Sequence, residues 1–172
     1  MALELDREWT YEDYCQLPED GKRYEVIDGR LYVTPAPSPY HQILSIRLLR
    51  AFEPLERAGK GQMLHAPLDV LMPGATPVQP DLVLIGADQA SMITRRAIEG
   101  VPLLLVEILS PSTAGRDRTL KLSKYADCGV EHYWILDPFA RTLELYQLME
   151  GRYRLEHSLG EQDRHEPGDF PG

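Results

Sequence analysis

At 172 residues, with 43% apolar and 26% charged side chains, the chain has the size and balance of one globular domain over residues 1–172, and it lacks the composition of a disordered or fibrous protein. No apolar run approaches the ~20 residues that cross a bilayer, and the opening MALELDREWT is polar and acidic, so no membrane partner and a cytoplasmic location are expected. The 18 basic residues against 27 acidic ones, a formal charge of -9, exclude a general nucleic-acid coat, whose affinity comes from Lys and Arg at phosphates. They leave room for a local basic groove, or for acids gathered to hold a metal. Cys15 and Cys128 lie far apart with no ligand spacing, as expected of reduced thiols in a reducing compartment.

In chain order, WTYEDYCQLPEDG predicts a short helix stopped near Pro18 and Gly21. RYEVIDGRLYVTP places two alternating stretches around Asp28-Gly29, the signal of a tight hairpin. After the stiff Pro35, Pro37 and Pro39 loop, Ile43, Ile46, Leu48, Leu49 and Phe52 give an apolar helical face from about Tyr40 to Ala58. Three strands follow, QMLHAPLDVLM, QPDLVLI and PLLLVEIL, and then a helix from roughly Ala114 to Cys128 closed by Gly129. HYWILD, TLELYQL and YRLEHSL close the chain as strands, ahead of a polar tail, GEQDRHEPGDFPG. The expected class is an α/β layered sheet: a core of helix, three strands, helix and strand, with an N-terminal β-hairpin before it and a C-terminal β meander after it.

Glu107 stands inside the apolar run LLLVEILSPST, where an uncompensated charge costs several kcal/mol, so it must be protonated, paired or metal-bound. Asp81 follows Pro80 at the start of the second central strand, and neighbouring strands would bring the two carboxylates together at one edge of the sheet. Such a pair suits Mg2+ or Mn2+. Asp69, read on the first central strand, is a possible third acid. Asp117, Lys121 and Tyr125 are spaced by four and share a helix face, with Lys124 a turn along. Lys121 is the candidate for stabilising a hydroxide nucleophile or the charge of a phosphoryl transition state.

The runs RYEVIDGRLYVTPAPSPYHQ, VQPDLVLI and LLLVEILSPSTAGRDRTLKLSKYADCGVEHYWILDP resemble the Uma-type restriction endonuclease family, over roughly Tyr11 to Gly172. That family is similar to the PD-(D/E)XK nucleases, and the resemblance implies a restriction-endonuclease-like core. It places the PD pair on Pro80 and Asp81 and the D/E position on Glu107. Leu109 holds the place of the expected lysine. The resemblance implies that the lysine has moved to Lys121, within a D-x-x-x-K-x-x-x-Y pattern from Asp117 to Tyr125. Glu25 and His41 also fall on family motifs and would border the cleft. The tail resembles a closing region cut short.

Structural alternatives stand beside these readings. Glu107 could be a neutral acid or bridge Lys121, Asp81 could cap a strand, and Glu25 and Asp69 could be surface charges, since the strand face is undetermined without the register. His41 could serve as a hydrogen bonder at the helix start. His65, His132, His157 and His165 show no zinc spacing, and Tyr133-Trp134 reads as core. The leading expectation is a Mg2+-dependent endonuclease acting on nucleic acid, DNA before RNA. Asp81 and Glu107 would hold the metal, Lys121 would assist, and the closing strands would pair two copies as a homodimer. The rival is a catalytically inactive nuclease-fold module that binds or regulates.

Overall fold

The computed structural model describes residues 7–18, 20–73 and 77–164. The tail beyond Arg164, and His165 with it, lies outside the described residues. Thr10 and Asp13 form a reciprocal capping box on the short first helix, α1 (Tyr11–Tyr14). The expected hairpin is present as β1 (Arg23–Ile27) and β2 (Arg30–Thr34), with Asp28 and Gly29 at φ 49° and 72°, the positive angles that a two-residue turn requires.

The helix expected from Tyr40 to Ala58 is two pieces, α2 (Pro39–Ala51) and α3 (Glu53–Arg57). Pro54 has no amide hydrogen to carry the ladder across the joint. The first central strand is likewise shorter than expected. β3 (Gly61–His65) stays in the sheet, whereas β4 (Val70–Leu71), beyond Pro67, leaves it and pairs in parallel with β6 (Ile98–Glu99). Asp69, expected on a central strand, therefore sits off the main sheet. β5 (Leu82–Gly86) and β7 (Leu104–Ile108) are the other two expected strands.

The second helix begins as α4 (Ala114–Arg116), widens into a π-helical turn over Asp117–Lys121, and resumes as α5 (Leu122–Asp127), with Gly129 at φ 84° beyond it. The closing meander is β8 (His132–Asp137), β9 (Thr142–Met149) and β10 (Arg152–Leu159). Among the described residues no helix is long and apolar enough to cross a membrane.

Six strands make one sheet in the order β10-β9-β8-β7-β5-β3. Within this sheet, among the described residues, only β7 and β8 are parallel neighbours, and the α4–α5 helix supplies the crossover that they need. Strand alternation splits the core in two. Val83, Ile85, Leu105, Tyr133 and Ile135 pack with Ile27 and Tyr125 on one face. Leu82, Leu84, Leu104, Val106 and Trp134 pack with Phe52 and the inner side of α2 on the other. Burial on both faces is why LVLI and LLLV read as unbroken apolar runs. Leu105 is fully buried and Leu155 on β10 is 50% exposed. Leu105→Ala is therefore expected to lower the unfolding free energy by about 2–5 kcal/mol. Leu155→Ala should stay within about 0.5 kcal/mol of the parent in the same urea titration.

Candidate active site

β5 and β7 are antiparallel with Leu82 opposite Val106, and one further step along that register sets Asp81 opposite Glu107. Both acids lie on the face of Val83 and Leu105, and both are buried. The Ile108 amide donates to Asp81 Oδ2 at 2.8 Å, so the start of one strand is tied to the end of the other. Arg23 Nη1 on β1 donates to Asp81 Oδ1 at 2.7 Å, and His41 Nε2, in the first turn of α2, lies 3.0 Å from Oδ2. Burial pushes the Asp81 carboxyl up, but the His41 contact and the Arg23 charge outweigh it and hold the group at about 2.

Lys121 gathers the remaining acids. Its Nζ lies 2.7 Å from Glu25 Oε1, 2.8 Å from Glu107 Oε1 and 3.7 Å from Asp117 Oδ1, with the side chain 2% exposed. Tyr125 donates its hydroxyl to Glu107 Oε1 at 3.0 Å, and the Gln79 amide donates to Glu25 Oε1 at 3.0 Å. Arg116 Nη2 donates to Thr34 Oγ1 at 3.0 Å, pairs with Glu25 Oε2 at 3.3 Å, and its guanidinium lies 5.0 Å from the Tyr32 ring centre. Burial alone would depress the Lys121 ammonium, yet Glu107, Glu25 and Asp117 keep it above the usual lysine range. Glu107 moves well upward because burial, joined by the nearby Asp117, Asp81 and Glu25 charges, outweighs the help from Lys121. Asp117 is raised by burial too. Three acids thus meet at one ammonium, with Arg116 as a second cation on Glu25.

A cleft of about 340 Å³ opens above these groups, lined by Arg23, Glu25, His41, Asp81, Glu107, Arg116, Asp117 and Lys121 among others. Tyr125 supports Glu107 from the core without lining the cleft. Two other candidates stand apart. Asp69 accepts from Tyr14 Oη at 2.6 Å and Gln79 Nε2 at 2.8 Å, away from the cleft, because its segment left the sheet after His65. Lys124 pairs with Asp28 at the hairpin turn, at 2.9 Å. Arg23 and Arg116 were not expected at the site. Arg23 shares a strand face with Glu25 two residues on, and Arg116 adjoins Asp117, so alternation and adjacency carried the signal.

Among the described residues no three His, Cys, Asp or Glu side chains form a ready-made metal cage. Magnesium does not need one, since it keeps several waters and binds through one or two carboxylates. The donor set fits a divalent cation: four buried acids, Glu25, Asp81, Glu107 and Asp117, face three cationic side chains, Arg23, Arg116 and Lys121. Asp117 Oδ1 also lacks a hydrogen-bond partner among the described residues. The surplus of buried negative charge is relieved by a proton or by a cation.

A family model, Uma2, described as "Putative restriction endonuclease", matches residues 11–172. An uncharacterized protein from Synechocystis sp. is 26% identical over 137 residues, spanning 78% of this chain and 72% of its own. A crystal structure from Anabaena variabilis, described as a "putative nuclease belonging to DUF820", shares the fold with a TM-score of 0.72 at 18% identity, over 86% of this chain and 83% of that one. The type IIG restriction endonuclease BpuSI overlaps 80% of this chain and 15% of its own, with a TM-score of 0.44 and 16% identity.

The raised Glu107 carboxyl sets a pH dependence. The folded state holds that proton more tightly than the unfolded chain, so its contribution is complete below the ordinary glutamate range. Stability of the metal-free protein then falls as pH rises through the folded-state value, by up to about 1.4 kcal/mol per pH unit crossed. Asp81 has the opposite sign: its contribution is present above the ordinary aspartate value and is lost as pH falls towards about 2. In urea titrations from acid to mildly alkaline pH, Glu107→Gln is expected to flatten the alkaline-side decline. An unaltered slope would refute the assignment.

Proposed function

We propose, on the premise that this chain belongs to the Uma2 family, that it is a metal-dependent endonuclease hydrolysing phosphodiester bonds of nucleic acid, with DNA as the substrate. The observation that carries this reading is the facing pair of Asp81 and Glu107 at the base of a cleft, braced by a buried lysine. Mg2+ or Mn2+ held by Asp81 and Glu107 would polarise the scissile phosphate and lower the pKa of the attacking water. The protein's own groups prepare that site. The Ile108 amide, Arg23 and His41 fix both oxygens of Asp81, while Lys121 and Tyr125 both engage Oε1 of Glu107.

Lys121 stays cationic and is therefore no general base; its charge lies at the cleft floor, where negative charge develops on the phosphate. Arg23 and Arg116 add guanidinium groups to the same wall. The partner of choice beside DNA is a second copy of the chain, paired through β10, one of the two edge strands of the sheet. One observation favours the inactive, binding-module reading: both oxygens of Asp81 are already engaged, by Arg23, His41 and the Ile108 amide.

Asp81→Asn and Glu107→Gln are each expected to reduce Mg2+- or Mn2+-supported cleavage of DNA by at least about 100-fold. Millimolar Mn2+ should raise the melting temperature of the parent protein, and raise it less in either variant, since a ligand selective for the folded state stabilises it. A parent protein that neither binds Mn2+ nor cleaves would leave the inactive module standing, and full activity in Asp81→Asn would remove the mechanism.

A further inference from the structure

We infer that the cleft receives DNA as an unpaired strand, with Tyr40 and Phe139 stacking on its bases; this names the substrate class of the nuclease site and rests on that reading. Tyr40 and Phe139 are 57% and 72% exposed, and both line the cleft. Among the described aromatic residues Trp9, Tyr24, Phe52, Tyr125, Tyr133 and Trp134 are buried and the remaining tyrosines partly so, which leaves Tyr40 and Phe139 as the two exposed rings, where the fold has no packing use for them.

Both rings sit on fixed backbone. Tyr40 is the second residue of α2, close to the Ser38 cap that accepts from the His41 amide at 3.2 Å. Phe139 lies in the β8–β9 turn, where Asp137 Oδ1 accepts its amide at 2.9 Å. Pro35, Pro37, Pro111 and Pro138 complete a stiff apolar wall around them.

Charge and size point the same way. Duplex binding draws on Lys and Arg arrayed along phosphates, but this chain carries a formal charge of -9, and Arg23, Arg116 and Lys121 in the cleft are each engaged by acids. Stacking on aromatic rings adds affinity that does not come from charge and tolerates any base, so it lessens the demand on the cleft's few cations. A volume of about 340 Å³ is at the small end of ligand pockets, the scale of one nucleotide rather than a duplex. A second cleft of about 580 Å³, reaching Lys22, Gln42 and His65, shares Arg23, His41 and Asp81 with the first. One strand can thus run from the aromatic mouth past Asp81 into the second cleft.

The test is fluorescence anisotropy of a labelled single-stranded oligonucleotide and of the same sequence as duplex, with Ca2+ replacing Mg2+ to prevent turnover. The single strand is expected to bind the parent protein more tightly than the duplex. Tyr40→Leu and Phe139→Leu should each weaken single-strand binding about tenfold, with an unchanged melting temperature, and Tyr40→Phe and Phe139→Trp should restore it. Leucine variants that bind like the parent, or a preference for duplex, would overturn the stacking inference while metal-dependent cleavage by the parent keeps the nuclease reading intact. A parent that cleaves neither form and binds neither form overturns both.

Discussion

The cleft depends on one buried ammonium. Lys121 comes from the π-helical turn of the second helix, and its three acids come from three places: Glu25 from the hairpin, Glu107 from the sheet and Asp117 from the same turn. None of these charges could be left alone at that depth, because desolvation of a single buried ion exceeds what the surrounding apolar contacts contribute. Paired on the one ammonium, they lock hairpin, sheet and helix into one arrangement. The same contacts that make burial tolerable therefore give the site its geometry.

Asp81 is the second junction, and its electrostatics oppose those of Glu107. Arg23 from β1, His41 from α2 and the Ile108 amide from β7 converge on it and keep it an anion. Glu107, one strand away, is driven towards its neutral form by burial and by the other acids. Two carboxyl groups directly across an antiparallel pair thus differ in which protonation state the fold favours. A divalent cation between them would find one ligand already ionised and would displace a proton from the other.

Much of this was legible in the residues, for identifiable reasons. The apolar runs around Glu107 and after Asp81 marked buried strands, and Asp-Gly marked the hairpin, because burial and positive φ restrict residue choice strongly. Lys121 was legible through its four-residue spacing from Asp117 and Tyr125 and through the family pattern. Glu25 and Asp69 were indistinguishable by residue type. The exit of the chain from the sheet after His65 sends Asp69 to Tyr14, whereas the hairpin's packing sends Glu25 to Lys121. Arg23 and Arg116 went unnoticed because arginine is ordinarily a surface residue, and only tertiary packing gave them acids to meet. The joint at Phe52 followed from Pro54, a local signal that the apolar periodicity of Ile43 to Phe52 masked.

The widened turn at Asp117–Lys121 has an evolutionary meaning. A π turn accommodates one extra residue while keeping the ladder intact on either side, and it rotates everything downstream by about 100° relative to an unbroken helix. Arg116 before the turn addresses the hairpin, and Tyr125 after it addresses the sheet. A lineage that gained or lost a single codon here would change which side chains look onto Glu107 without altering any strand. Which side chain of this helix meets Glu107 is thus a matter of helical phase, while the carboxylates stay anchored by the pleat.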